Sequence, residues 1–390
     1  MASNFNIPDP HSVDLTTATT RDIVCYLNSS ENEYNGGLGS RISSIFVIGL
    51  VSSFATAFPV MAQRLPRLRM PLYAYLFARC FGSGVIVATA FIHLLDPAYA
   101  SIGPATCVGM TGGWTGYSWP PAFMLVTCMG IFLMDVVCCR YVEMKYGIAE
   151  GQRIAGTGQS MGRGEIITED TAETGCCGDG LTRAMCCGDA ETVTFYDVAA
   201  KSEAAYDERT WGCRHLQGTE KDEEARRFAV KQQLGAFLIL EFGIIFHSVI
   251  IGLNLGVAGE EFSVLYAVLV FHQSFEGLGI GARLSTIPFR TGSWTPWILC
   301  AAYGITTPVS TAAGLGVRTT YNSGSYTANV VSGVLDSISA GVLIYTGLVE
   351  LLARDFIFNP SRTKNSYRLA FMVVSVFVGA GIMALLAKWA

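Results

Sequence analysis

Eight apolar stretches, each long enough to cross a bilayer as a helix, dominate this chain and leave it little choice of fold. They cover residues 42–63, 72–99, 121–141, 233–257, 262–284, 294–317, 327–353 and 368–388. Hydrophobic residues make up 51% of the sequence and charged residues 15%, where a soluble domain carries about a quarter charged. The pattern predicts an all-α integral membrane protein with eight transmembrane helices. The first, sixth and eighth spans hold no acidic or basic residue in their centres. The few ionisable groups in the other five therefore carry most of the information.

Lys and Arg in short loops set the orientation. The first loop holds Arg64, Arg67 and Arg69, whereas the loop 100–120 holds no base and the fourth loop reads Gly259-Glu260-Glu261. Arg283 and Arg290 flank the fifth loop; Arg354, Arg362, Lys364 and Arg368 flank the seventh. Alternate loops are basic and read as cytoplasmic, which puts both termini outside. Four regions follow: an extracellular tail 1–41, spans one to three in 42–141, a cytoplasmic loop 142–232, and spans four to eight in 233–390. This is a 3+5 arrangement. The tail lacks the apolar core of a signal peptide and is expected to be loosely ordered. The long loop is rich in Gly, Glu, Asp, Arg and Thr and is expected to be mostly disordered.

Polar groups at membrane depth cost roughly 2.5–3.5 kcal/mol per charged residue, so they mark sites and pathways. Span four contains Phe246-His247-Ser248-Val249-Ile250-Ile251-Gly252, and span five contains Phe271-His272-Gln273-Ser274-Phe275-Glu276-Gly277. His272 and Glu276 are spaced i, i+4 and share one helix face. With His247 at similar depth on the neighbouring span, they form a candidate ligand set for Zn²⁺, completed by water or an oxygen of Ser248 or Gln273. The same donors accept Fe²⁺, Mn²⁺ or Cd²⁺. A single mid-span histidine is often only a hydrogen-bonded packing residue; two of them with an i+4 glutamate are a ligand pattern. A haem would also accept two histidines, but Glu276 and Gln273 do not suit an apolar porphyrin slot.

Further span polars trace a candidate route: His93, Asp96 and Asn254 on the outer side, and Asp135, Glu241 and Glu350 on the inner side. Asp336 is expected to pair with a neighbouring helix, and Arg79 to snorkel inward. Gly252, Gly277, Gly279 and Gly281 permit close helix approach. Thr306-Thr307-Pro308 is expected to break the sixth span.

The cysteines fall into groups. Cys176, Cys177, Cys186 and Cys187, followed by Cys213 and His215, form a candidate regulatory metal cluster in the long loop. Their adjacent-pair spacing differs from the usual zinc knuckle, so idle or acylated cysteines stand beside that reading. Cys138 and Cys139 are candidates for acylation. Cys25 and Cys107 both face the oxidising side and are a candidate disulfide.

On these residues the chain resembles the ZIP family, the zinc- and iron-regulated transporter-like proteins, and within it the fungal and plant plasma-membrane importers. The resemblance rests on His247-Ser248-Val249-Ile250-Ile251-Gly252 and His272-Gln273-Ser274-Phe275-Glu276-Gly277. It extends to Phe81-Gly82-Ser83-Gly84-Val85-Ile86, to Ala88-Thr89-Ala90-Phe91-Ile92-His93-Leu94-Leu95, and to Thr306-Thr307-Pro308. It implies import of a divalent metal to the cytosol, with His247, His272 and Glu276 as transport ligands. Some members of the family carry acidic residues for a second metal where this chain has Ile251 and Thr307, so one principal site is expected. The expected function is zinc import, with iron(II) uptake or a membrane metal sensor using the Cys loop as alternatives. No His-Glu-x-x-His pattern of a zinc hydrolase is present, and no enzyme activity is expected. The metal is cargo; no prosthetic group and no nucleic-acid partner are expected. The lipid bilayer is the surrounding partner, and a homodimer stands open as the assembly.

Overall fold

The computed structural model describes residues 17–28, 34–65, 71–146, 220–287, 289, 292–358 and 365–389. Their regular structure is entirely helical. A short helix α1 (Thr20–Asn28) precedes eight helices long and apolar enough to cross a membrane. These are α2 (Leu38–Arg64), α3 (Leu72–Ile102), α4 (Trp119–Tyr146), α5 (Glu220–Val257), α6 (Phe262–Ser285), α7 (Thr295–Gly316), α8 (Tyr326–Ile357) and α9 (Ser366–Trp389). The spans lie in one compact unit, Met1–Val137 with Ala225–Phe358 and Thr363–Ala390. The second unit, 138–224 with 359–362, is described only in its helical residues 138–146 and 220–224.

Glycines bring the helix axes together. A Cβ on Gly82 of α3 would fall on the backbone of Gly279 of α6, and one on Gly279 would meet the Cα of Gly82 at 2.7 Å. Gly84 and Gly379 do the same for α3 and α9, against the carbonyls of Val376 and Phe81. Gly281 seats α6 on the Thr56 carbonyl of α2, and Gly304 seats α7 on Ser53. Apolar tails of lipid offer little drive for helix association, so such van der Waals contact between backbones carries much of the packing. Between the helices lies a core that includes Ile86, Leu94, Phe237, Ile244, Ile280, Leu284, Tyr303 and Leu343.

Two of the long helices are not regular. α3 widens into a π-helical stretch over Thr89–Leu95 and resumes as α-helix at Asp96. Pro97 explains the widening: it lacks an N–H for the carbonyl of His93, and its ring crowds that carbonyl. α8 passes into a π-helical stretch over Thr346–Phe358. At the head of each stretch a threonine hydroxyl, Thr89 Oγ1 or Thr346 Oγ1, donates to the carbonyl four residues back, at 3.0 and 2.8 Å.

Two expectations change. α7 is continuous through Pro308 rather than broken. The carbonyl its ring would crowd belongs to Gly304, and Thr306, Ser310 and Thr311 hydroxyls donate to carbonyls on either side at 2.6, 2.8 and 2.9 Å. The tail expected to be loosely ordered contains α1, which Thr19 caps. Thr19 Oγ1 donates to Asp22 Oδ2 at 2.6 Å and accepts from the Asp22 N–H at 3.3 Å. The Thr19 hydroxyl, and after it the Thr19 N–H, which donates to Asp22 Oδ2 at 3.2 Å, hold the Asp22 carboxyl below its usual range. The Arg79 guanidinium pairs with Asp355, two residues from the end of α8.

Cys25 and Cys107 form a disulfide that ties α1 to the loop between α3 and α4. Cys25 itself is buried.

Two outcomes are expected. Gly279→Leu should force α3 and α6 apart and lower the unfolding temperature in detergent, an overpacking cost of about 1–3 kcal/mol. Gly381→Leu, where a Cβ meets nothing within 4 Å, should leave it unchanged. In unfolded protein alkylated before and after reduction, two thiols should appear only after reductant, and none should be gained in a Cys25→Ser/Cys107→Ser variant.

Candidate metal site

The loop Ala258–Glu261 turns α5 back into α6 and sets their register. His247 lies ten residues before Val257, the end of α5, and His272 ten residues after Phe262, the start of α6. At 1.5 Å per residue both sit about 15 Å below the loop. Their ring centroids are 5.5 Å apart. His272 Nε2 is 3.7 Å from Glu276 Oε2, one turn further along α6. The exposures of His247, His272 and Glu276 are 3%, 2% and 0%.

The chain has five histidines, and the three within spans meet here. The ring of His93, in the π-helical part of α3, stands edge-on to His272 at 4.9 Å between centroids. Its Nε2 is 3.1 Å from the carbonyl oxygen of Met383 in α9. A buried polar atom without a partner costs about 1–3 kcal/mol, and native interiors hold few. Here several stand together: His247 Nε2, Ser248 Oγ, His272 Nε2, Gln273 Nε2 and Glu276 Oε1 form no hydrogen bond. Thr307 Oγ1 and Asp336 Oδ1 also lack one. The imidazole nitrogens and carboxylate oxygens among them are donor types that divalent cations accept. Among the described residues no group of three or more His, Cys, Asp and Glu side chains is gathered to hold a metal as it stands, so ligation requires these side chains to turn toward one another.

Neighbours hold the set in place, and of these the sequence singled out only Asp336. Tyr303 of α7 donates to the Gln273 carbonyl at 3.1 Å and to Glu276 Oε2 at 3.4 Å. The signal for it was weak: a buried phenol needs a partner, but nothing in the sequence says which. Ser52 of α2 donates to Gln273 Oε1 at 3.5 Å. Asp336 of α8 places Oδ1 4.0 Å from His247 Nδ1. Arg41, only 1% exposed, caps the end of α5. Its guanidinium donates to the carbonyls of Leu255, Gly256 and Ala258 and lies 4.5 Å from the Phe262 ring centroid. A cation suits the unpaired carbonyls at a helix C-terminus.

The other expected route residues fare differently. Glu241 is buried and neither carboxylate oxygen has a hydrogen-bond partner. Glu350 pairs with Arg283 at 3.8 Å and Arg354 at 2.6 Å. Asp135 accepts from the Tyr345 phenol at 2.6 Å, and Asn254 from Tyr321 at 3.5 Å. Asp96 is exposed. Cys176, Cys177, Cys186, Cys187, Cys213 and His215 lie outside the described residues.

A family model described as ZIP Zinc transporter matches residues 38–387. Zinc-regulated transporter 1 of Saccharomyces cerevisiae is 53% identical over 98% of this chain and 97% of its own length. Zinc-regulated transporter 1 of Schizosaccharomyces pombe is 39% identical over 94% of this chain and 89% of its own. Fe(2+) transport protein 3, chloroplastic, of Arabidopsis thaliana is 27% identical over 96% and 91%. No solved structure matches the chain.

Arg41→Leu should strip the α5 terminus of charged hydrogen bonds worth roughly 1.5–3 kcal/mol each. Thermal unfolding in detergent should show a clear loss of stability, whereas Arg21→Leu on the exposed face of α1 should show none.

Proposed function

The chain belongs to the ZIP zinc transporter family, and from that premise we propose that it carries Zn²⁺ from outside the cell to the cytosol through His247, His272 and Glu276. It is a multi-span membrane transporter, not an enzyme, and the divalent ion is its substrate. The observation that supports these three residues is the cluster of buried ring nitrogens and carboxylate oxygen left without partners on two helices at one depth.

The chemistry follows from the donor types. Two neutral imidazoles and one carboxylate reduce the formal charge of a divalent ion to about +1, which lessens its dehydration cost inside the bundle. Ser248 and Gln273 offer further oxygens without adding charge. On the outer side His93, with Asp96 and Asn254 nearer the surface, leads to the site. On the inner side Glu241 is the unengaged carboxylate. Glu350 and Asp135 must leave Arg283, Arg354 and Tyr345 before they can receive an ion. The plasma membrane is the proposed location, with both termini outside. The Cys25–Cys107 disulfide supports that orientation, because such bonds persist on the oxidising face. Iron(II) is a second substrate reading, favoured by the relative named for Fe(2+) transport and by a donor set that does not by itself choose between the two metals.

Purified protein in liposomes should take up radioactive Zn²⁺ down a gradient. His247→Ala and His272→Ala should each reduce influx to that of protein-free liposomes, with unfolding temperatures near that of the unaltered chain. Near-normal influx in either variant contradicts the site. Competition by unlabelled Zn²⁺, Fe²⁺, Mn²⁺ and Cd²⁺ in the same assay ranks the substrates.

A further inference from the structure

Asp336 sits in the middle of α8, and its buried carboxylate faces the candidate site from outside the two helices that carry it. It is 4% exposed, and its Oδ1 has no hydrogen-bond partner. A carboxylate in such a place is costly unless something accepts or donates to it. The group in reach is the imidazole of His247, whose Nδ1 lies 4.0 Å from Oδ1. A movement of about 1 Å would bring the pair to hydrogen-bond distance.

The two nitrogens of an imidazole point to different sides of the ring. If Nδ1 faces Asp336, Nε2 faces away from it, and Nε2 of His247 is the ring atom left without a partner. His272 stands 5.5 Å from the His247 ring, centroid to centroid, with its own Nε2 unpartnered and Glu276 beside it. The order across the bundle is therefore carboxylate, imidazole, then the remaining donors. Metal-bound histidines regularly give their second N–H to a carboxylate, which fixes the tautomer and the ring plane.

Resting on the reading of His247 as a transport ligand, we propose that Asp336 is a positioning residue for it. Its carboxylate accepts the Nδ1–H, holds the ring in one orientation, and leaves the Nε2 lone pair for the ion. Asp336 is not itself a ligand in this reading: it stands on the Nδ1 side of the His247 ring, away from the unpartnered Nε2. The link also crosses from α5 to α8, so the affinity of the site depends on how these two helices stand to each other. An ion bound while His247 and Asp336 are joined is held more tightly than one bound while they are apart.

The test is Zn²⁺ influx and equilibrium Zn²⁺ binding with Asp336→Leu, Asp336→Glu and His247→Ala. Loss of a carboxylate behind a metal-bound histidine typically weakens binding about 10–100-fold. Asp336→Leu should raise the KM for Zn²⁺ by that order while the maximal rate per folded molecule changes little, and Asp336→Glu should recover part of the loss. In a His247→Ala background, adding Asp336→Leu should cost no further Zn²⁺ affinity, because the two act as one unit. A fall in maximal rate with unchanged KM would show a purely structural role and overturn the inference. An undiminished second loss of affinity in the double variant would make Asp336 an independent ligand and also overturn it. If His247→Ala itself transports normally, the site reading fails, a result distinct from either of these.

Discussion

The fold buries, on α5 and α6, a set of polar atoms that find no hydrogen-bond partner within the protein. His247, His272, Glu276, Ser248 and Gln273 are all buried, and each leaves at least one polar atom without a hydrogen bond. A bundle can hold such atoms only if the rest of its packing offsets the cost. The offset comes from close contact. Gly82 against Gly279, Gly84 and Gly379 across α3 and α9, and Gly281 on Thr56 let backbones touch where ordinary residues would hold them apart. Tyr303 and Ser52 hydrogen-bond Gln273 and Glu276, and the open valences stay buried inside the bundle.

The two ends of the bundle are tied in different ways. At one end Arg41 gathers the last carbonyls of α5, and the Cys25–Cys107 bond fastens α1 to the loop after α3. At the other, Arg79 with Asp355, and Arg283 and Arg354 with Glu350, join α3, α6 and α8. These ion pairs are directional, unlike the glycine contacts.

Much of this was legible in the sequence because it depends on local pattern. Apolar runs of span length gave the eight helices, whose limits in the structure differ from the expected ones by a few residues at most ends. The i, i+4 spacing of His272 and Glu276, and the equal distances of His247 and His272 from a short loop, placed three polar side chains at one depth. What was not legible depends on contact between distant segments. Asp336 was expected to pair with a neighbouring helix, but that the group it faces is His247 of α5 depends on the fold. Arg41 lay just before the expected start of the first span, and its role requires the end of α5, more than two hundred residues away. Pro308 carried a local signal that pointed the wrong way, since neighbouring hydroxyls and Gly304 remove the reason for a break. Pro97 was the reverse case: it widens α3 at His93 without ending the helix.

The central claim is that nitrogen and oxygen donors from α5 and α6 close on one cation within the bundle. Zinc X-ray absorption addresses it directly, on purified protein whose Cys176, Cys177, Cys186, Cys187 and Cys213 are replaced by serine. The account predicts a first shell of nitrogen and oxygen at about 2.0–2.2 Å, with the outer-shell scattering of two imidazoles, reduced to one in His272→Ala. A sulfur-dominated shell, or an imidazole signal that His272→Ala leaves intact, would contradict it.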